Sequence, residues 1–190
     1  MAGADLAVGG GSGPGVAAVV VLDRESGETT AASSAACSVT FPYVPGLLSF
    51  RELPALAAAW RSLGREPDAV IFDGHGLAHP RRFGLACHGG LLVDLPAVGC
   101  AKSLLVGEHE PPGREKGSRS DVVHEKEVVG RAVRTRTGVR PVFVSVGHRI
   151  DLDTAVELVL SVSPRYRIPE PVRRADALAG RLRRRRTDDD

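Results

Sequence analysis

The N-terminal part of the chain alternates short apolar runs with glycine-rich or polar segments. Residues 5–8 and 16–22 are largely apolar, 9–15 between them are mostly glycine, and 29–39 alternate along a third stretch. Runs of this length, bounded by glycine and polar residues, are typical of strands joined by tight turns. We therefore expect three sequential antiparallel strands, with 9–15 as a flexible turn.

Beyond residue 48 the pattern changes to alternating helices and strands. A helix predicted over 50–63 would begin at Ser49 as N-cap, with Glu52 three residues later as in a capping box. Further strands are predicted over 68–72, 97–101 and 141–146, and further helices over 83–92, 151–160 and 172–182. The polar segment 107–121 predicts a mobile loop, and 122–133 fits either a strand or a helix. Hairpin strands followed by alternating strands and helices predict an α/β fold with a mixed central sheet flanked by helices.

The composition fits one globular domain and excludes few functions. The chain has 190 residues, 43% of them hydrophobic, and its formal net charge of +2 does not point to a partner. Three cysteines without a CxxC pair favour a reducing compartment. A leader-like start and an apolar run of membrane-spanning length are both absent, which predicts a cytoplasmic protein with no membrane contact.

The C-terminal end of the sequence is strongly charged. A cluster of arginines at 181 and 183–186 is followed by aspartates at 188–190. Such an end is typically frayed and solvated. We therefore expect a single catalytic domain over 1–182 and a charged tail over 183–190.

The segment 73–82, DGHGLAHPRR, is the most suggestive for chemistry. It follows the short apolar strand predicted to end at Phe72, and ligands of open α/β sheets bind beyond the carboxyl ends of strands. Carboxylates bind hard metal ions, glycines allow the backbone to approach a ligand closely, and arginines form paired hydrogen bonds with phosphate. The segment therefore predicts a metal-dependent phosphoester site centred on Asp73. The plainer alternative is that Asp73 only forms a turn with the glycine after it. Zinc binding by His75 and His79 is disfavoured, since Gly76 and Pro80 argue against a helix there.

Three further carboxylates occupy positions that suit the same chemistry. Asp5 lies in an apolar strand, where a carboxylate is costly without a partner. Glu52 and Asp176 lie on predicted helices, where a capping-box role and a surface charge are the plain alternatives. Phosphodiester hydrolysis assisted by a carboxylate-held metal needs acids of this kind.

Several segments resemble motifs of the endonuclease V family, in the order in which the family has them. PYVPGLLSFRE at 42–52 resembles PYxPGxLSFRE, and DGHGLAHPRR at 73–82 resembles DGHGxAHPRR. Shorter matches are ADL at 4–6, GCAKS at 99–103, SVGHR at 145–149 and YRIPEP at 166–171. The resemblance covers nearly the whole chain. Two departures are that the chain begins almost at the first strand, which a truncated or misassigned start would explain, and that Val8 replaces a usual aromatic residue.

The resemblance implies an RNase H-like fold and Mg²⁺-dependent cleavage of DNA that contains deoxyinosine, with Mn²⁺ as an alternative ion. The cut would fall at the second phosphodiester bond on the 3′ side of the lesion. Lys102 would steady the charge of the scissile phosphate. The catalytic acids and metal ligands would be Asp5, Glu52, Asp73 and Asp176.

The resemblance also implies how the lesion is recognised. Tyr43, on a loop stiffened by two prolines, would act as a wedge in the duplex while the damaged base leaves the stack. Gly46 and Gly74 would let backbone groups touch hypoxanthine. The remaining residues implied to contact nucleic acid are Leu48, Arg51, His79, Arg81, Arg82, His148 and Arg149.

Two alternatives remain open at this point. The chain could be a ribonuclease acting at inosine in RNA, because recognition of a 2′-hydroxyl leaves no sequence motif. It could also be a non-catalytic module that binds inosine lesions. We expect a monomer in each case.

Overall fold

The computed structural model describes residues 1–9 and 13–188, within which eight strands form one mixed sheet and four helices cover its two faces. The strand order is β3-β2-β1-β4-β5-β8-β7-β6. The strands are β1 Ala2–Val8, β2 Gly13–Leu22, β3 Thr29–Val39, β4 Val70–Phe72, β5 Ala97–Ala101, β6 Arg119–His124, β7 Glu127–Val133 and β8 Val142–His148. The helices are α1 Leu48–Arg61, α2 Leu85–Val93, α3 Leu152–Ser161 and α4 Glu170–Asp188. The predicted α/β class with a mixed sheet is confirmed.

The three N-terminal strands pair antiparallel as predicted. Asp5 stands opposite Ala18 in β2, and Ala18 stands opposite Ser34 in β3. Residues 10–12, in the middle of the predicted flexible turn, lie outside the described residues.

The centre of the sheet is parallel and defines the edge that matters for function. In β1, β4 and β5, Ala4 pairs with Phe72 and Phe72 pairs with Gly99. These strands therefore point the same way, and Asp73 and Lys102 follow directly at their carboxyl ends. We call this side of the sheet the carboxyl edge. Strand β8 is antiparallel to β5, so its own carboxyl end lies at the opposite edge.

Aliphatic side chains, mostly valine and alanine, fill the core on both faces of the sheet. Helices α1 and α2 cover one face, where Leu53, Leu56 and Leu85 pack on β1, β2 and β4. Helices α3 and α4 cover the other face, where Val156 and Val172 pack on β4, β5 and β8. Fully burying one such aliphatic side chain stabilises the fold by about 1.5–3 kcal/mol. The scaffold beneath the carboxyl edge is therefore well packed.

The predicted start of α1 is wrong. The helix begins at Leu48 with Leu47 as N-cap, and that end has no side-chain cap. Ser49 is already inside the first turn and is buried. Gly46 has φ +78°, and the turn it forms lets the helix begin two residues earlier than the capping-box pattern indicates. Glu52 is thus not a capping partner.

The segment 122–133 is a β-hairpin, which settles the choice between strand and helix. Glu125 and Lys126, at φ +52° and +67°, form its two-residue turn. The loop predicted over 107–121 is correct only in part, because β6 begins at Arg119. The loop is also tied down, since Glu108 and Val123 exchange two backbone hydrogen bonds of 2.9 Å.

Helix α4 is longer at both ends than predicted. It begins at Glu170, because Pro171 is tolerated in a first turn, where an N–H needs no intrahelical partner. It continues to Asp188, so the basic segment expected to be a frayed tail is helical as far as it is described. The other elements predicted after residue 60 lie within two residues of their expected bounds.

In the described residues, 1–9 and 13–188, every helix is too short or too polar to cross a membrane.

Candidate active site

Four acidic side chains from four elements gather at the carboxyl edge. Asp73 follows β4, Asp5 lies one residue past the last β1 residue paired with β4, Glu52 is on α1, and Asp176 is on α4. Their grouping is electrostatic as well as spatial. The charges of Asp73 and Asp176 act on Asp5, and those of Asp5 and Asp73 act on Glu52.

Burial and mutual repulsion make two of these acids unusually weak. Burial, and then the charges of Asp73 and Asp176, raise the pKa of Asp5 to about 7. Burial, and then the charges of Asp5 and Asp73, raise the pKa of Glu52 to about 8. Negative charge concentrated among oxygen ligands and partly withdrawn from water is what a hard divalent cation neutralises. The donor set therefore fits such an ion.

Lys102 brings a positive charge into this group. It follows β5, and its ammonium donates a hydrogen bond to the carboxylate of Asp73. Burial lowers the pKa of Lys102, but the hydrogen bond and the charges of Asp73, Asp5 and Asp176 outweigh it and raise the pKa above the usual value. Lys102 therefore stays protonated beside the acids.

The side chains do not yet converge as metal ligands. Among the described residues, no three histidine, cysteine, aspartate or glutamate side chains stand close enough to hold one ion. An ion shared by the acids would require these side chains to move, and the ammonium of Lys102 to leave the carboxylate of Asp73.

The two histidines of the DGHGLAHPRR segment serve other partners. His75 Nε2 lies 3.0 Å from the carbonyl oxygen of Ser103. His79 is buried, and its Nδ1 accepts from the backbone N–H of Arg81, which leaves Nε2 to donate to the carbonyl of Gly46 at 3.0 Å. The two rings thus bind different segments of the chain, the loop after β5 and the loop that bears Tyr43.

A second group of predicted residues, from the loop that bears Tyr43 and from the segment after β4, lies close together. The carbonyl of Gly46 also accepts from Arg81 at 3.3 Å, which ties the Tyr43 loop to the segment after β4. A Cβ on Gly74 would lie 3.1 Å from Leu85 and 3.6 Å from Leu48, so any larger residue there would have to displace the side chain of Leu85. Tyr43 stands on the same loop with 65% of its surface exposed.

The structure separates other predicted nucleic-acid contacts from this group. His148 and Arg149 lie at the opposite edge of the sheet, because β8 is antiparallel, and both are bound to Asp94. Arg82 is held by Glu127 at 3.0 Å and donates to the carbonyl of His124. These three residues therefore lie apart from the group around Asp73, and their contact with nucleic acid stays a prediction.

Arg51 donates to the carbonyl of Phe41 at 3.3 Å, and so supports the loop that bears Tyr43. This contact places it beside the predicted wedge, near its expected position.

One residue of the site escaped the sequence reasoning. Arg167, in the loop before α4, donates to the carbonyl oxygens of Lys102, Arg140 and Pro141 at 2.6, 3.0 and 2.7 Å. Burial lowers the pKa of its guanidinium. The only signal in the sequence was its position inside the matched YRIPEP segment.

The sequence and the structure of this chain are both similar to those of known proteins. The family model described as endonuclease V matches residues 1–177. Endonuclease V of Myxococcus xanthus is 59% identical, over 97% of this chain and 78% of that one. The crystal structure of endonuclease V from Streptomyces avermitilis superposes with a TM-score of 0.93 at 48% identity, covering 98% of this chain and 82% of that one.

A more distant structure is bound to nucleic acid. Ciona intestinalis endonuclease V, in complex with DNA containing an inosine followed by a ribo-adenosine, gives a TM-score of 0.79 at 28% identity, over 97% of this chain and 85% of that one. The matches extend over nearly the whole chain, and those to the Myxococcus and Streptomyces proteins are at 59% and 48% identity. The chain belongs to the endonuclease V family and is a nuclease with the RNase H-like fold.

Proposed function

We propose that this nuclease cuts DNA containing deoxyinosine at the second phosphodiester bond on the 3′ side of the lesion, and that it requires Mg²⁺. The observation that carries the proposal is the grouping of Asp5, Glu52, Asp73 and Asp176 around Lys102, next to the Tyr43 loop. A related nuclease is bound to DNA containing an inosine, which supports the substrate.

The acids have the chemistry to hold the cation. Nucleases of this family are metal-dependent. In the proposal Asp5, Glu52, Asp73 and Asp176 hold Mg²⁺, for which Mn²⁺ can substitute. Once bound, the ion would supply Lewis acidity toward the attacking water and the leaving oxygen. Lys102, kept protonated by its acidic neighbours, would hold positive charge beside the scissile phosphate.

Lesion recognition uses the wall built from the Tyr43 loop and the segment after β4. An extruded base costs least to unpair where pairing is already weak, and an exposed aromatic ring can fill the gap it leaves. Tyr43 is exposed enough for this role. The backbone at Gly46 and Gly74 can approach a base closely, and hypoxanthine presents both an N–H and a carbonyl oxygen. Leu48, His79 and Arg81 shape and hold this wall.

A second candidate function is cleavage at inosine followed by a ribonucleotide. It is favoured by the Ciona complex, in which the inosine of the bound DNA is followed by a ribo-adenosine. Single-turnover rates on matched oligonucleotides, all-deoxy, with one ribonucleotide after the inosine, and all-ribo, separate the two functions. Fastest cleavage of the all-deoxy oligonucleotide supports the proposal. Fastest cleavage of either oligonucleotide that contains ribonucleotides supports the second function and contradicts the proposal.

The first test of the metal site is Asp73→Ala. The variant should lose cleavage of a deoxyinosine duplex by at least about 100-fold, since a ligand and the partner of Lys102 are both removed, while still binding that duplex. Asp68→Ala is the matched control, because Asp68 is an exposed aspartate before β4 at the opposite edge.

Full activity of Asp73→Ala would refute the metal role. Lesion binding by the unaltered protein without any cut, in either Mg²⁺ or Mn²⁺, would instead support the non-catalytic binding module.

The proposed monomer is checked by light scattering of the protein as it elutes from a sizing column, and a dimer mass would contradict it. The cytoplasmic location stays a prediction.

A further inference from the structure

Helix α4 runs alongside β1 and passes beyond the acids. A Cβ on Gly3 would lie 2.3 Å from the backbone nitrogen of Val172, Asp176 acts electrostatically on Asp5, and a Cβ on Gly9 would lie 3.2 Å from Arg183. The six residue steps from Gly3 to Gly9 along β1 span about 20 Å, and the eleven steps from Val172 to Arg183 along α4 span about 17 Å. The two lengths are similar, so the three contacts agree with a helix that runs parallel to the strand. The end of α4 therefore projects past the carboxyl edge.

This projecting end is strongly basic. Residues 177–186 contain no acid and five arginines, at 181, 183, 184, 185 and 186. One or two cations in a last turn are enough to complement a helix dipole. Five arginines exceed that requirement, and they stand on the part of the helix that continues past Asp176 and the carboxyl edge.

Two of these arginines line a groove at the carboxyl edge. A space of about 390 Å³ lies between Arg183 and Arg186 on one side and the start of β2 and the end of β3 on the other. The strand side of this groove consists of small or uncharged residues: Pro14, Gly15 and Val16 of β2, and Ala36, Cys37 and Ser38 of β3. Among the described residues that line the groove, two carry guanidinium groups and none carries a carboxylate. Such a lining suits a phosphate group, which arginine can bind with two parallel hydrogen bonds.

We propose that the groove between the end of α4 and the β2–β3 hairpin binds the sugar–phosphate backbone of the nucleic acid that flanks the cut. The inference rests on the proposed function and extends it, since it assigns a binding surface to residues outside the lesion pocket. Because such contacts carry no base information, they add affinity for any sequence and leave the choice of lesion to the pocket.

The test is the salt dependence of duplex binding by the double variant Arg183→Gln/Arg186→Gln. Affinity for an undamaged duplex and for a deoxyinosine duplex is measured by fluorescence anisotropy in EDTA, over a series of KCl concentrations. Each phosphate contact contributes about 0.9 to the slope of log affinity against log salt, so the slope should fall by about 1.8 on both duplexes.

Two control variants make the result specific. Arg24→Gln/Arg65→Gln removes two exposed arginines at the opposite edge and should leave the slope unchanged. Arg183→Lys/Arg186→Lys keeps both charges and should retain most of the slope, which separates loss of charge from loss of folding.

An unchanged slope in the folded glutamine variant would overturn the inference, and would be the result if the groove served an acidic protein partner instead. If the unaltered protein neither prefers nor cuts deoxyinosine DNA, the proposed function fails. The slope on undamaged duplex would still test the groove in that case.

Discussion

At the scale of single residues, the site holds charge that works against the fold. Burial and neighbouring acids raise the pKa of Asp5 to about 7 and that of Glu52 to about 8. A carboxyl group whose pKa is higher in the folded than in the unfolded chain stabilises the fold only while it is protonated. Its contribution is complete below about pH 4 and is lost as the pH rises through 7 to 8. The metal-free protein should therefore be less stable in mildly alkaline buffer.

Glu52→Gln tests this charge directly. In EDTA at pH 8.5 the variant should be more stable than the unaltered protein by about 1–3 kcal/mol, since it cannot ionise, while its cleavage activity should be lost. Thermal unfolding followed at pH 5 and pH 8.5 measures the effect, which should be present only at the higher pH. Glu66→Gln, at an exposed position, should change neither melting temperature. A lower melting temperature of Glu52→Gln at pH 8.5 would contradict the account.

Tyr43 is the second residue whose role can be isolated. Tyr43→Ala should weaken binding to a deoxyinosine duplex by about 1–3 kcal/mol, the range for loss of one aromatic stacking partner, and affect undamaged duplex less. Tyr43→Phe should keep most of the affinity, because the ring is retained. Tyr166→Ala, which removes an exposed tyrosine outside this loop, is the control. Equal dissociation constants for Tyr43→Ala and the unaltered protein on lesion DNA would refute the wedge.

At the scale of elements, the loop after β5 depends on a contact far away in the sequence. The Arg167 guanidinium binds the carbonyl of Lys102 together with those of Arg140 and Pro141 at the start of β8. A lysine has one ammonium and cannot reach three carbonyls on two segments. We therefore regard Arg167 as a positioning residue for Lys102.

Arg167→Lys should reduce kcat about tenfold, which corresponds to about 1.4 kcal/mol of barrier, because Lys102 would be held less well. KM for a deoxyinosine duplex should stay within about twofold. Guanidine hydrochloride at millimolar concentration should restore part of the rate. Arg140→Lys, whose side chain is exposed, is the matched control. A raised KM with unchanged kcat, or no rescue, would show that Arg167 acts through the fold in general.

The positions of strand ends could be predicted from the sequence, but the direction in which each strand runs could not. Asp73 and Lys102 were predictable because apolar runs ending in polar residues identify the carboxyl ends of strands. His148 and Arg149 follow a strand in the same way, but the pattern does not state the strand's direction, and antiparallel β8 takes them to the other edge. Arg167 escaped because its partners are carbonyl groups, which every residue has.

At the scale of the whole molecule, the class of fold was predictable and the extent of its last element was not. Alternation of apolar runs fixed the strands, whereas the arginines of α4 look the same in a helix and in a solvated tail. Their helical course places basic charge at the carboxyl edge, beside the acids. The molecule thus gathers its acids, its exposed tyrosine loop and a basic groove at one edge of the sheet.

The most direct measurement of the central claim is the position and metal dependence of the cut. A duplex with one deoxyinosine, labelled at the 5′ end of the lesion strand, is incubated with the protein in EDTA, and Mg²⁺ is then added in excess. The account predicts no product before the addition and afterwards a single product ending at the second phosphodiester bond 3′ to the lesion. Cleavage in EDTA, or a cut at another bond, would contradict it.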